Sequence, residues 1–327
     1  MMKLFDAHCH LQDPRIISKA PELIATALDT GVVRFAVNGV SEKDWHLVKQ
    51  MGENYPSVIP CFGLHPWFVA ERTPNWFNTL KECLESTPSA AVGEIGLDKG
   101  SHGKQIDFTV QVLLSQNFCC LMIFHNYLFQ IEVFRQQLEL AKELKRPASI
   151  HCVRAFGDLL QIMKSMGPFP AGFILHSYLG SGEMVPEFAK LGAYFSFSGF
   201  LMSLEARKAK KMLKAVPSER ILLETDAPDA LPKSELGSLF LIDGDPSIPE
   251  ELQRQGGKLS TSSDLTRDEK DASTLPKETF NHPANIQNVL SYVASFLDMT
   301  KEELAEISYK NAVHLFSYDG SKVLQEN

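Results

Sequence analysis

The sequence has no run of twenty apolar residues, so nothing in it reads as a helix able to cross a bilayer, and no membrane association is expected. Met1-Met2-Lys3 leads directly into an apolar run, which leaves no room for a charged leader and a cleavage site. Cysteine is scarce and without framework spacing. Cys9 and Cys152 adjoin histidines, Cys61 and Cys83 sit in ordinary segments, and Cys119-Cys120 are vicinal neighbours that rarely bridge each other. Reduced thiols follow, and with them a cytoplasmic location, the nucleus being the second choice. Positive charge is also in deficit: 32 Lys and Arg against 40 Asp and Glu give a formal net charge of -8, which argues against a broad basic surface. A site holding two divalent cations would bring about +4 of local charge, so the balance neither supports nor excludes a phosphate substrate. No obligate protein partner is evident.

What the chain does have is 44% hydrophobic content, ample for a full core, and five short apolar runs that each end in a metal-ligand type of side chain. Leu4 to His10 supplies His8 and His10, Ala91 to Asp98 supplies Glu94, Ala148 to Cys152 supplies His151, Phe173 to His176 supplies His176, and Ile221 to Asp226 supplies Asp226. In the first run, strand alternation sends residues two apart to one face, so Asp6, His8 and His10 can converge. A mixed imidazole and carboxylate set suits Zn, Mn or a similar ion. A lone His-x-His on a strand is more often structural than a metal site; six ligands at strand ends are not.

Val33 to Val40, Val58 to Leu64 and Ala193 to Ser198 bring the strand candidates to eight. Helical patterns lie between them, such as Glu22 to Leu28 stopping at Gly31 and Val133 to Leu144 stopping before Pro147. Alternating strand and helix predict an α/β fold with parallel pairing, and eight units fit a (β/α)₈ TIM-type barrel in a single domain. Each candidate ligand falls at the C-terminal end of its strand, where barrel active sites form. An open doubly wound sheet explains less, because it gathers ligands at one switch point, whereas these come from the first, fourth, fifth, sixth and eighth units.

Two stretches interrupt the period. Residues 233–277 are polar and rich in Ser, Asp, Glu, Gly and Pro, which predicts a disordered surface loop after the eighth strand. Residues 112–130 form an apolar and aromatic run with almost no charge and no amphipathic face, breaking into what should be one helical unit. Without both, about 260 residues remain, close to the ~250 typical of the barrel. Two accounts of the second stretch stay open. It is a real insertion that must loop out and bury its apolar face, or it is a translated intron in a faulty gene model, since valine codons begin GT and glutamine is often CAG; the product would then be inactive.

The chain resembles the TatD-related deoxyribonucleases, a branch of the metal-dependent hydrolase superfamily. The resemblance rests on Phe5-Asp6-Ala7-His8-Cys9-His10-Leu11, Gly63-Leu64-His65-Pro66, Gly93-Glu94-Ile95-Gly96-Leu97-Asp98, His151-Cys152 with Arg154, His176-Ser177-Tyr178 and Glu224-Thr225-Asp226-Ala227-Pro228. It continues through Asn281-His282-Pro283-Ala284-Asn285 and Asn311 to Phe316, so it spans nearly the whole chain apart from the two interruptions. It implies that His8, His10 and Asp226 bind one metal, that His151 and His176 bind a second, and that Glu94 bridges both.

Two divalent cations (Mg, Mn or Zn) so held would activate a water and clamp a phosphodiester. Asp226 is the expected proton acceptor, with Glu224 supporting it. His65 matches no metal position and is expected to hold or polarise the phosphate, with Arg154 and Lys99 adding positive charge. His46, His102, His125, His282 and His314 remain unassigned. The three tryptophans, Trp45, Trp67 and Trp76, read as packing, although Trp67 and Phe68 stand where they could stack a base. The expected activity is metal-dependent, exonucleolytic deoxyribonuclease action on single strands or ends, because a barrel mouth is narrow for a duplex. The alternative is an amide or ester hydrolase of the amidohydrolase type, including aminoacyl-tRNA deacylation. Against it, ring-opening relatives bridge their metals with a modified lysine on the fourth strand, where this chain offers Glu94 and no lysine before Lys99.

Overall fold

The computed structural model describes residues 2–100, 116–233, 238–244 and 279–324. Eight parallel strands run in sequence order around one sheet: β1 (Leu4–Cys9), β2 (Val32–Gly39), β3 (Val58–Phe62), β4 (Ala91–Asp98), β5 (Ala148–Val153), β6 (Phe173–Leu175), β7 (Ala193–Phe197) and β8 (Ile221–Leu223). The sheet closes on itself through Asp226 N–H to His8 O at 2.9 Å and His10 N–H to Ala227 O at 2.7 Å. The fold is a TIM-type barrel, as the alternating pattern predicts, and the strand bounds agree with the apolar runs to within a few residues.

Helices cover the outside: α1 (Ala20–Asp29), α2 (Trp45–Asn54), α3 (Trp76–Ser86), α4 (Gln116–Leu144), α5 (Phe156–Met166), α6 (Val185–Leu191) and α7 (Ala206–Ala215), followed by α8 (Ile286–Leu297) and α9 (Lys301–Leu315). A short antiparallel pair, β9 (Leu241–Asp243) with β10 (Thr279–Asn281), lies between β8 and α8. Inside the barrel, Phe5, Ala7, Ala36, Ile59, Cys61, Ala91, Ile174 and Leu222 pack with Leu315 and Phe316 from the end of α9. Phe5 and Phe316 stack with centroids 5.0 Å apart. The chain's own tail thus plugs the N-terminal end of the barrel with hydrocarbon, and the polar cluster described below occupies the opposite end.

The expected break before Val133 does not appear in α4, which runs unbroken from Gln116. Between 116 and 144 there is neither glycine nor proline to stop a helix. The last residues of the apolar run are tied to the barrel. Gln130 is buried and its Oε1 accepts from Asp98 N–H at 3.0 Å, while the Tyr127 hydroxyl donates to Asp158 at 2.6 Å. Residues 112–115, and the polar stretch 233–277 apart from 233 and 238–244, fall outside the described residues. Among the described residues no helix is long and apolar enough to cross a membrane.

Candidate metal centre

All six residues picked out by the strand-end pattern meet at the C-terminal end of the barrel. His8 and His10 come from β1 and its end, Glu94 from β4, His151 from β5, and His176 and Asp226 from just beyond β6 and β8. Their placement depends on close backbone contacts. Gly96 pairs with His151 across β4 and β5, has φ +148, and a Cβ there would stand 2.0 Å from His151 O. Asp226 itself has a left-handed backbone, φ 53, a conformation that Asp tolerates better than most residues.

Glu94 stands in the middle. Its Oε2 lies 3.5 Å from His8 Nε2 and 3.4 Å from His10 Nε2, and Asp226 Oδ1 is 3.8 and 3.5 Å from the same two nitrogens. Its Oε1 lies 2.9 Å from His151 Nδ1, 2.7 Å from His176 Nε2 and 3.4 Å from His65 Nε2. Three sets of donor atoms come within 4.8 Å of one another and could hold a metal ion: His8, His10 and Asp226; His8, Glu94 and His176; and His65, Glu94 and His151.

The hydrogen bonds behind the imidazoles decide which nitrogens are free to ligate. His10 Nδ1 donates to Asn38 O at 2.8 Å, which leaves Nε2 with a lone pair facing the cluster. His8 Nδ1 is 2.7 Å from Ser149 Oγ, and its Nε2 meets His10 Nε2 at 3.2 Å. Two imidazole nitrogens at that distance repel unless a proton or a metal ion lies between them. Among the described residues, His176 Nδ1 is buried without a hydrogen-bond partner, 3.6 Å from Glu224 Oε1. Converging nitrogens and two carboxylates are what a divalent cation would satisfy, so the residues present fit one.

The electrostatics agree. Burial pushes the Glu94 carboxyl up, but the histidines around it, led by His65 and His176, hold it well below the usual carboxylate range. Asp226 is likewise kept ionised against its burial by His10, His176 and His8. Burial lowers His8. For His10 and His176 burial acts downward too, yet the carboxylates beside them raise both well above the usual imidazole range. Buried carboxylates thus draw in positive charge, as protons or as metal, and the two compete for the same nitrogens.

His65 is different. Its Nδ1 accepts from Trp67 N–H at 3.2 Å, so the neutral ring carries its proton on Nε2, and burial lowers it to about 4. It faces Glu94 as a hydrogen-bond donor. Lys99 forms an ion pair with Asp158 and lies over the Tyr127 ring, 4.6 Å from its centroid. Arg154 is exposed, with φ 55, one residue past β5.

Two expectations need correcting. Asp6 does not join the cluster: its carboxylate accepts from Thr225 N–H and Oγ at 2.9 and 2.5 Å, deeper in the barrel, and burial pushes it up to about 8. Glu224 does not bond to Asp226; it accepts from Ser177 N–H at 2.7 Å and from the hydroxyls of Ser177 and Ser196. Sequence reasoning gave no role to Ser149, Asn38, Gln130 or Asp98; only Asp98 carries a local signal, as the polar residue that ends the fourth apolar run.

A family model described as TatD related DNase matches residues 5–317. The uncharacterized metal-dependent hydrolase YabD of Bacillus subtilis is 28% identical over 313 residues, covering 96% of this chain and 98% of that protein. A protein of Pantoea sp. named 3'-5' ssDNA/RNA exonuclease TatD is 26% identical over 232 residues, covering 70% of this chain and 81% of its own. The solved structure of the TatD homologue YJJV from Escherichia coli superposes with a TM-score of 0.71 at 22% identity, covering 96% of this chain and 98% of that one, which shows the shared fold.

Proposed function

This chain belongs to the TatD-related DNase family of metal-dependent hydrolases, and from that premise we propose that it is a deoxyribonuclease that hydrolyses single-stranded DNA from an end, using two divalent cations. One observation carries the reading: the two oxygens of Glu94 face separate groups of ligand nitrogens, Oε2 towards His8 and His10 and Oε1 towards His151 and His176. In this reading His8, His10 and Asp226 hold one cation, His151 and His176 hold the other, and Glu94 is shared. Bound there, the cations supply Lewis-acid charge and lower the pKa of water towards neutrality.

The chain's own residues do the rest. Asp226, kept ionised by its histidine neighbours, takes the proton of the attacking water. His65, neutral and with its Nε2–H aimed into the cluster, donates to a non-bridging phosphoryl oxygen. Arg154 is exposed where it can meet a neighbouring phosphate, and Lys99 contributes less because Asp158 already neutralises it. The exonuclease name carried by the Pantoea relative supports the substrate and the end-directed action.

The test is cleavage of 5′-labelled single-stranded DNA by the purified protein, with and without EDTA, beside Glu94→Ala and Asp226→Ala. The reading expects laddering from one end that EDTA and both substitutions abolish. A folded, metal-loaded protein that leaves DNA intact would refute it and favour carbonyl hydrolysis.

A further inference from the structure

Asp98 is buried at the end of β4, and each hydrogen bond to its carboxylate comes from a donor. His151 Nε2–H reaches its Oδ2 at 3.2 Å, Trp67 Nε1–H reaches the same oxygen at 2.5 Å, and Gly100 N–H reaches Oδ1 at 2.5 Å. The Asp98 backbone is fixed as well, through Gln130. Trp67 also sets its ring edge-on to His151, with centroids 6.0 Å apart.

The rings of the two halves of the cluster are backed differently. His8 and His10 lean on neutral groups, Ser149 Oγ and Asn38 O, and have the carboxylate of Asp226 beside them as well as Glu94. Among the described residues, the carboxylate on the cluster side of His151 and His176 is the shared Glu94, and negative charge stands behind their rings instead, on Asp98 and Glu224. With Nε2 taken by Asp98, His151 has a lone pair only on Nδ1, 2.9 Å from Glu94 Oε1.

We infer that Asp98, held by Trp67, is the positioning residue that fixes His151 in its Nδ1-ligating form and supplies the charge that lets the His151 and His176 half retain its cation. This rests on the two-cation reading above. Asp98 touches no substrate; it acts through His151. An acceptor carboxylate behind a ligand imidazole typically accounts for 10- to 100-fold in metal affinity. Asn in its place would turn an N–H towards one of these donors and remove the charge.

The experiment is a calorimetric Mn²⁺ titration of the metal-stripped full chain as wild type, D98N, W67F, H151A and D98N/H151A. Two binding steps are expected for the wild type. In D98N one step weakens by about 10- to 100-fold while the other stays within about 2-fold. W67F weakens the same step by less and covers the case in which D98N does not fold. H151A abolishes that step, and adding D98N to H151A changes nothing more. Two unchanged steps in both D98N and W67F, two steps weakened alike, or a further loss in the double variant would overturn the inference while leaving the two-cation reading intact. A wild type that binds a single cation would overturn that reading, and the inference with it.

Discussion

Thr225 grips Asp6 with both of its donors, backbone N–H to Oδ1 at 2.9 Å and hydroxyl to Oδ2 at 2.5 Å, in a site fully closed to water. The contact joins the segment just past β8 to β1, 219 residues apart, immediately before Asp226. It fixes where the Asp226 backbone turns. Thr225→Val keeps the shape and removes the hydroxyl, leaving a buried carboxylate oxygen without a partner. The expected cost is about 1–3 kcal/mol in urea unfolding, with Thr225→Ser close to wild type. Equal stability of all three proteins would show that the contact is dispensable.

Gln137, fully buried on α4, accepts from Leu64 N–H at 2.7 Å and donates to Leu64 O at 3.1 Å, as a neighbouring strand would. Leu64 precedes His65, so this clamp positions the neutral donor of the site. Gln137→Leu should lower stability by about 2 kcal/mol, because it strands two buried backbone groups. Thermal unfolding checks it; a variant at least as stable as wild type contradicts it.

Gly96 permits the close pairing of β4 with β5 at His151. Gly96→Ala brings a Cβ to 2.0 Å from a backbone oxygen at φ +148, so neither strand can keep its path. A loss on the order of 4 kcal/mol, together with loss of bound metal, is expected. Circular dichroism melting and metal analysis of the same sample measure both, and a soluble, metal-loaded variant with unchanged melting would refute the prediction.

His282 gives stability a pH dependence outside the site. Its Nδ1 accepts from Ala284 N–H at 2.9 Å, and burial lowers it to about 4 from 6.5. Protonation would remove that acceptor. Below pH 6.5 the unfolded chain binds the proton and the folded chain does not, so this contribution, complete above 6.5, is lost as pH falls towards 4. The slope is at most about 1.4 kcal/mol per pH unit. His282→Asn keeps a capping acceptor without the titration, and its stability between pH 6.5 and 4 should fall less steeply than that of the wild type. Parallel curves would assign the acid sensitivity elsewhere.

The barrel and most of the residues that meet at its mouth are legible in the sequence because both follow from local pattern: short apolar runs, stops, and a polar residue at or near each run's end. Glu94 departs from it, standing mid-strand in β4 with Asp98 at the end. Asp6 and Glu224 show the limit of that logic. Alternation tells which face a side chain takes and not its depth along the barrel, so Asp6 shares a face with His8 yet meets Thr225. Beyond β8 the left-handed backbone of Asp226 breaks the alternation that would have aligned it with Glu224. Ser149 behind His8 and Gln137 on Leu64 lie 141 and 73 residues from their partners, and only the closed barrel brings them together. The unbroken course of α4 follows from the absence of glycine and proline between 116 and 144, a signal that its apolar, non-amphipathic composition masks.

The most direct test of the central claim is a crystal structure of the protein soaked in Mn²⁺, with anomalous scattering recorded. The account predicts two peaks flanking the Glu94 carboxylate, one beside His8, His10 and Asp226 and the other beside His151 and His176. A fully occupied single peak, or one that Glu94 does not touch, would contradict it.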